Sequence, residues 1–219
     1  MKRLAVVLCF LLLVIWALIG QPARVETVEI GRENVNLLPG GKEADGIIGD
    51  FLLRNDKVHA VIAGNLLLRR ANMSTEYRFP TPGCLYDLDL RGAPNDQITV
   101  FRPGALGGEL SWVRIVSDGV IEAVRTAPKG DGLYERHEYR LEPAWQHILV
   151  TSVFRNESRQ AVKITPPPVW KQFSQEWKAG EIRIGDSIDP FDKRAYAWGP
   201  AGTLPAEATL APGQEQRYQ

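Results

Sequence analysis

Cysteine is almost missing from this chain, and what little there is excludes one way of holding a fold together. Of the two cysteines, Cys9 lies inside an apolar run, where no small residue precedes it as a lipoprotein signal would require. Cys84 is then alone in the body, so no internal disulfide can form and the domain must rest on its hydrophobic core. Cys84 itself reads as a small buried hydrophobe rather than a nucleophile. An excess of charge of either sign is missing too. Lys plus Arg and Asp plus Glu each number 26, for a formal net charge of zero. With no basic stripe and no acidic tail, nucleic acid is excluded as the main partner. Histidine is down to His59, His137 and His147, with neither His-x-His nor His-Glu-x-x-His spacing, so no zinc motif is present. His137 reads as a hydrogen-bonded core histidine and His147 as a residue at a sheet edge. Gly-x-Ser-x-Gly is absent, and no serine sits in a glycine-rich strand-to-helix turn, which argues against an elbow-type serine nucleophile. Gly40-Gly41-Lys42 lacks the spacing and the following helix of a phosphate loop. Helical periodicity is scarce as well: only Asn65 to Glu76 and Val169 to Lys178 leave room for a few turns, without a clear helical pattern.

What is present falls into two materials. Lys2 and Arg3 precede Leu4 to Gly20, which carries no charge at all. A basic start before an apolar stretch predicts export through residues 1–23, as a signal peptide or as an uncleaved anchor helix. The run is near the lower limit of a membrane span, ~17 residues. The small residues wanted for cleavage are poorly placed, with Leu18 or Gln21 at the earlier position. The expected location is extracytoplasmic, secreted, periplasmic or anchored, with membrane contact only through this segment.

Residues 24–219 read as one β domain. Ile48 to Arg54 and Lys57 to Ala63 are apolar runs around Asn55-Asp56, the pattern of a hairpin. Cys84 to Leu90 alternates, with Tyr86, Leu88 and Leu90 against Asp87 and Asp89. Gln97 to Phe101 follows the turn Gly92-Ala93-Pro94-Asn95. Leu110 to Val116 and Val120 to Arg125 flank Asp118-Gly119, the strongest turn in the chain. Leu133 to Leu141 sets Leu133, His137, Tyr139 and Leu141 against Arg136, Glu138 and Arg140. His147 to Phe154 is apolar on both faces, as in a central strand. Ala161 to Thr165 ends at three prolines, which cannot donate to a ladder. Ala208 to Leu210 and Gln216 to Gln219 read as strand, turn, strand, and the chain stops in the last of these, as a piece of a longer architecture would. Short strands about every ten residues, joined by tight turns, predict an all-β antiparallel β-sandwich.

Two groups of residues are candidates for a ligand. Trp170, Trp177 and Trp198 lie in an aromatic-rich last third, and flat aromatic faces stack on the apolar faces of sugar rings. Asp87 and Asp89, on one side of one strand, are the polar counterparts. Separately, Asp186, Asp189 and Asp192 recur every third residue in a Gly/Pro loop, an oxygen-rich arrangement that can hold calcium, though not with EF-hand spacing. No other cofactor and no catalytic residue is legible.

Tyr139 to Thr165, YRLEPAWQHILVTSVFRNESRQAVKIT, resembles the paired strands of the galactose-mutarotase-like supersandwich. That resemblance implies a supersandwich-like fold and a sugar-binding ancestry. The mutarotase His pair and Glu have no counterpart here. Leu38 to Ile62, LPGGKEADGIIGDFLLRNDKVHAVI, and Gly83 to Phe101, GCLYDLDLRGAPNDQITVF, resemble the β-rich N-terminal region of exported bacterial proteins. Those proteins often carry a metallohydrolase domain of the polymerase-and-histidinol-phosphatase type. The resemblance implies an accessory part whose catalytic partner lies downstream. The expected function is a non-catalytic extracytoplasmic module that binds carbohydrate or packs against a hydrolase domain. The alternatives are a carbohydrate-active enzyme (epimerase-like, lyase or hydrolase) and a purely structural envelope protein.

Overall fold

The computed structural model describes residues 24–41, 44–66, 82–92, 98, 100–103, 109–126, 132–164, 169–170, 176–180, 182–186, 195–201 and 207–219. Among these residues regular structure is all antiparallel strand, apart from one 3-10 turn at Val35–Leu37. No described helix is long and apolar enough to cross a membrane, and the N-terminal segment 1–23 lies outside the described residues.

Two large sheets carry the structure. The first has six strands, in the order β1 (Glu26–Glu29), β2 (Phe51–Arg54), β3 (Val58–Ile62), β4 (Leu85–Leu90), β5 (Phe101–Arg102) and β11 (Val169–Trp170). The second has five, in the order β16 (Glu215–Tyr218), β9 (Leu149–Asn156), β8 (Leu133–Arg140), β7 (Val120–Thr126) and β6 (Glu109–Ser117). A three-stranded sheet joins β12 (Glu176–Ala179), β13 (Ile182–Asp186) and β14 (Ala195–Trp198), and β10 (Val162–Ile164) pairs with β15 (Ala208–Leu210).

The turns form where local chemistry demands them. Asn55 Oδ1 accepts from the N–H groups of Lys57 (2.7 Å) and Val58 (3.0 Å), closing the β2–β3 hairpin. This side-chain mimicry of a backbone turn is why Asn is favoured there. Gly119 takes φ +78° between β6 and β7, a conformation that costs glycine nothing. At the other end of the chain, the strand–turn–strand of residues 208–218 does not close on itself. Strand β15 leaves to pair with β10, and β16 adds to β9.

Residues 169–178, where the sequence left room for helical turns, instead supply β11 and the start of β12. Val169 and Trp170 pair with Arg102 and Phe101, as β-branched and aromatic residues favour. The other such stretch, 65–76, lies outside the described residues beyond Leu66.

One apolar cluster draws on both large sheets: Phe51, Leu53, Ala60, Ile62 and Leu85 from the first, Ile121, Ala123 and Tyr139 from the second. Each fully buried Leu, Ile or Phe in it stabilises by ~1.5–3 kcal/mol. Two inter-sheet bonds add direction. Tyr139 Oη donates to Gly83 O at 2.8 Å, and Arg125 Nη2 donates to Pro82 O. The residues leading into β4 are thus clamped by side chains of β7 and β8.

Strand β4 departs from the expected alternation. Its register shifts opposite Val61 and Ile62, so that Ile62 faces Leu85, Val61 faces Asp87, and Tyr86 is left over. The bulge sends Tyr86 into a cluster with Ala63, Cys84 and Val100, apart from Leu88 and Leu90. Asp87 and Asp89 do share a side, but it is the covered one: both are buried, while Leu90 is 52 % exposed.

Candidate functional site

Buried carboxylates are costly unless something holds them, so their partners come first. Asp87 Oδ1 and Oδ2 accept from the backbone N–H groups of Asp45 (2.8 Å) and Gly46 (2.9 Å). Asp50 does the same for Ile47 (2.9 Å) and Gly64 (2.8 Å). Burial pushes the Asp87 carboxyl up, to about 7, against the downward pull of its two N–H donors. Both carboxylates tie segment 44–50 across the first sheet, where Ile30, Leu52 and Val61 pack beneath Leu37 and Leu38. Asp87 is therefore anchored to backbone rather than aimed at a ligand.

Asp89 has a different position. It lines a cleft of about 410 Å³ with Leu85, Leu88, Tyr196 and Trp198. A second cleft of about 290 Å³ adjoins it, and the two share Phe101, His147, Ile148, Val150, Ala197 and Trp198 as walls. These volumes lie at the lower end of small-molecule sites, ~300–1,000 Å³. The second cleft reaches further, to Ser152, Tyr218 and Gln219.

The loop that rims both clefts is held from outside. Asn55 Nδ2 donates to Glu142 O (3.0 Å) and Trp145 O (2.9 Å), fixing residues 142–145 to the first hairpin. Within the loop Ala144 stands at φ +67°, a conformation that is strained for a side-chain-bearing residue. The next residues present Trp145 stacked on His147, with centroids 4.6 Å apart. His147 is exposed just before β9 rather than inside a strand.

The three candidate tryptophans do not share a row. Trp170 belongs to the first large sheet beside Phe101, Trp177 pairs with Ile184, and Trp198 pairs with Arg183. Trp198, half-buried, packs against the central apolar cluster and walls both clefts. Asp186 ends β13 opposite Ala195, while Asp189 and Asp192 lie outside the described residues. Among the described residues no three His, Cys, Asp or Glu side chains gather as a metal site.

Sequence reasoning missed a polar layer on the inner face of the second sheet. Arg125, Glu135, His137 and Ser152 are all buried, with Arg102 of β5 and Cys84, just before β4, nearby. His137 Nδ1 lies 2.9 Å from Ser152 Oγ, and its Nε2 lies 3.2 Å from Glu135 Oε2. Burial lowers the His137 pKa, with Glu135 pulling the other way, and raises that of the Cys84 thiol. His137 was readable as a core histidine. Its partners were not, because Ser152 meets it only through the β8–β9 register.

His59 is the opposite case. Opposite Asp89 in the register, it is half-buried, and neither ring nitrogen has a hydrogen-bond partner. Burial, then Arg91 and Arg54, push its pKa from 6.5 down to about 4. Between those values the unfolded chain takes up a proton that the folded chain refuses. The resulting stability is present above pH 6.5 and is lost as the pH falls toward 4. Half exposure and screening reduce this contribution to roughly 1–2 kcal/mol. Urea midpoints at neutral pH and near the lower value should fall more steeply for the native chain than for His59→Phe. Parallel slopes would mean that His59 titrates normally.

Comparison with known protein families, curated proteins and solved structures finds no match for this chain.

Proposed function

We propose that this chain is an extracytoplasmic β-sandwich module that binds carbohydrate in the paired clefts around Trp198. The single observation that carries this reading is the position of Trp198. It is held half-buried as a wall common to both clefts, with Asp89 and Gln146 among the residues that line one of them. A pyranose presents an apolar face for an indole to cover and hydroxyls for carboxylate and amide groups to bond. The sandwich is supported by the apolar cluster that draws on both large sheets. The extracytoplasmic location is supported by Lys2, Arg3 and the uncharged stretch that follows them. Service as an accessory to a hydrolase domain rests on the resemblance of residues 38–62 and 83–101.

Trp198→Ala should weaken binding of a glycan, found by array screening, by about 2 kcal/mol, roughly thirty-fold in Kd. Calorimetric titration of both proteins checks it, with circular dichroism to show that the variant is folded. Unchanged affinity in a folded Trp198→Ala would end the aromatic-platform reading.

A further inference from the structure

The polar layer behind the second cleft has more organisation than packing requires. His137 on β8 and Ser152 on β9 are direct cross-strand partners, and Glu135 lies two residues before His137 on the same face. The contacts run in series, Ser152 Oγ to His137 Nδ1 at 2.9 Å and His137 Nε2 to Glu135 Oε2 at 3.2 Å. A carboxylate on Nε2 selects the tautomer that carries its proton there, leaving the Nδ1 lone pair for the serine hydroxyl proton. Phe154 packs edge-on against the imidazole at 5.8 Å and restricts its rotation.

A separate observation points to a ligand. Tyr218, the cross-strand partner of Ser152 on its other side, is 7 % exposed, and its hydroxyl has no hydrogen-bond partner. Leaving a buried hydroxyl unpaired costs about 1–3 kcal/mol, which an acceptor atom on a bound molecule would offset. Tyr218 and Ser152 line the same cleft, whose other walls include Phe101, Val150 and Trp198.

We propose that Ser152, His137 and Glu135 form an acyl-transfer site that hydrolyses a short O-acyl ester, such as an acetyl group, on the sugar bound beside Trp198. The sugar half of this proposal rests on the carbohydrate reading; the ester chemistry does not. Ser152 Oγ bonds to the ester carbonyl carbon while His137 Nδ1 takes its proton. The carbonyl oxygen, now anionic, accepts a hydrogen bond from Tyr218 Oη. Collapse breaks the carbon–oxygen bond to the sugar, and His137 returns the proton to the departing sugar oxygen. Water then attacks the acyl-serine through the same base, releasing the carboxylic acid and restoring Ser152. No electrons change hands. Glu135 touches no reacting atom and acts as a positioning residue. The group arises from strand register alone and needs no nucleophile elbow.

The test treats the full chain with a fluorophosphonate probe, maps the labelled peptide by mass spectrometry, and follows p-nitrophenyl acetate hydrolysis. Label on Ser152 is expected, with hydrolysis reduced at least 100-fold in Ser152→Ala. Tyr218→Phe should lower kcat by about 100-fold with little change in KM. Glu135→Gln should lower kcat and also move the acid limb of its pH profile to lower pH, because the carboxylate holds the imidazole pKa up. An unlabelled Ser152 in the native chain, or hydrolysis that survives in Ser152→Ala, overturns the proposal. Labelling of Ser152 in a protein whose glycan affinity ignores Trp198→Ala leaves the acyl-transfer site standing and removes only the sugar reading.

Discussion

Replacing Arg125 by Ala should destabilise the domain by about 3–5 kcal/mol, among the largest losses available from a single substitution. Arg125 is one of the largest fully buried side chains in the structure, at 2 % exposure. Its cross-strand neighbour is Glu135, and it donates to Pro82 O in the turn that leads into β4. Truncation takes a guanidinium from beside a buried carboxylate and removes the donor from that carbonyl. Arg102, also buried in this layer, remains but is a cation already strained by desolvation, its pKa lowered by burial. Urea unfolding of Arg125→Ala against the native chain gives the number. A loss under 1 kcal/mol would mean that the layer tolerates an unbalanced Glu135 and that its charges are better solvated than their burial implies.

Gly64→Ala should cost about 3 kcal/mol or more, for a reason of backbone geometry. A Cβ on Gly64 would overlap the carbonyl oxygen of Gly49. Both groups are held by the same anchor, since Asp50 Oδ1 accepts from Gly64 N at 2.8 Å while Asp50 follows Gly49 in the chain. No rotamer change relieves a clash against backbone, so residues 49–50 or 63–64 must separate and break that bond. Gly92→Ala is the control: a Cβ there meets nothing within 4 Å, and a change within about 0.5 kcal/mol is expected. Thermal melts of both variants decide the matter. Equal melting temperatures would show that the contact between residues 49 and 64 yields easily.

Some of these features were legible in the chain and some were not, and the division follows distance along the sequence. The hairpins at Asn55-Asp56 and Asp118-Gly119 were readable because turn chemistry and two-residue alternation act within a few residues. Cys84 and His137 were readable as core residues from the apolar company they keep. The burial of Asp87 was not, because alternation separates two faces without saying which is covered. What covers that face is segment 30–50, packed and hydrogen-bonded to it from forty residues away.

The sequence by itself determined the class of structure, antiparallel strands resting on apolar packing without disulfides. Its terms are local, a period of two and glycine, asparagine and proline at the turns. Only the tertiary structure decided the partners: β16 on β9, β15 on β10, β11 on β5, and with them the walls around Trp198. Register between distant strands is set by which buried faces fit together once the loops have closed. That fit brings Ser152 to His137 and leaves Tyr218 beside them, a juxtaposition that no spacing along the chain encodes.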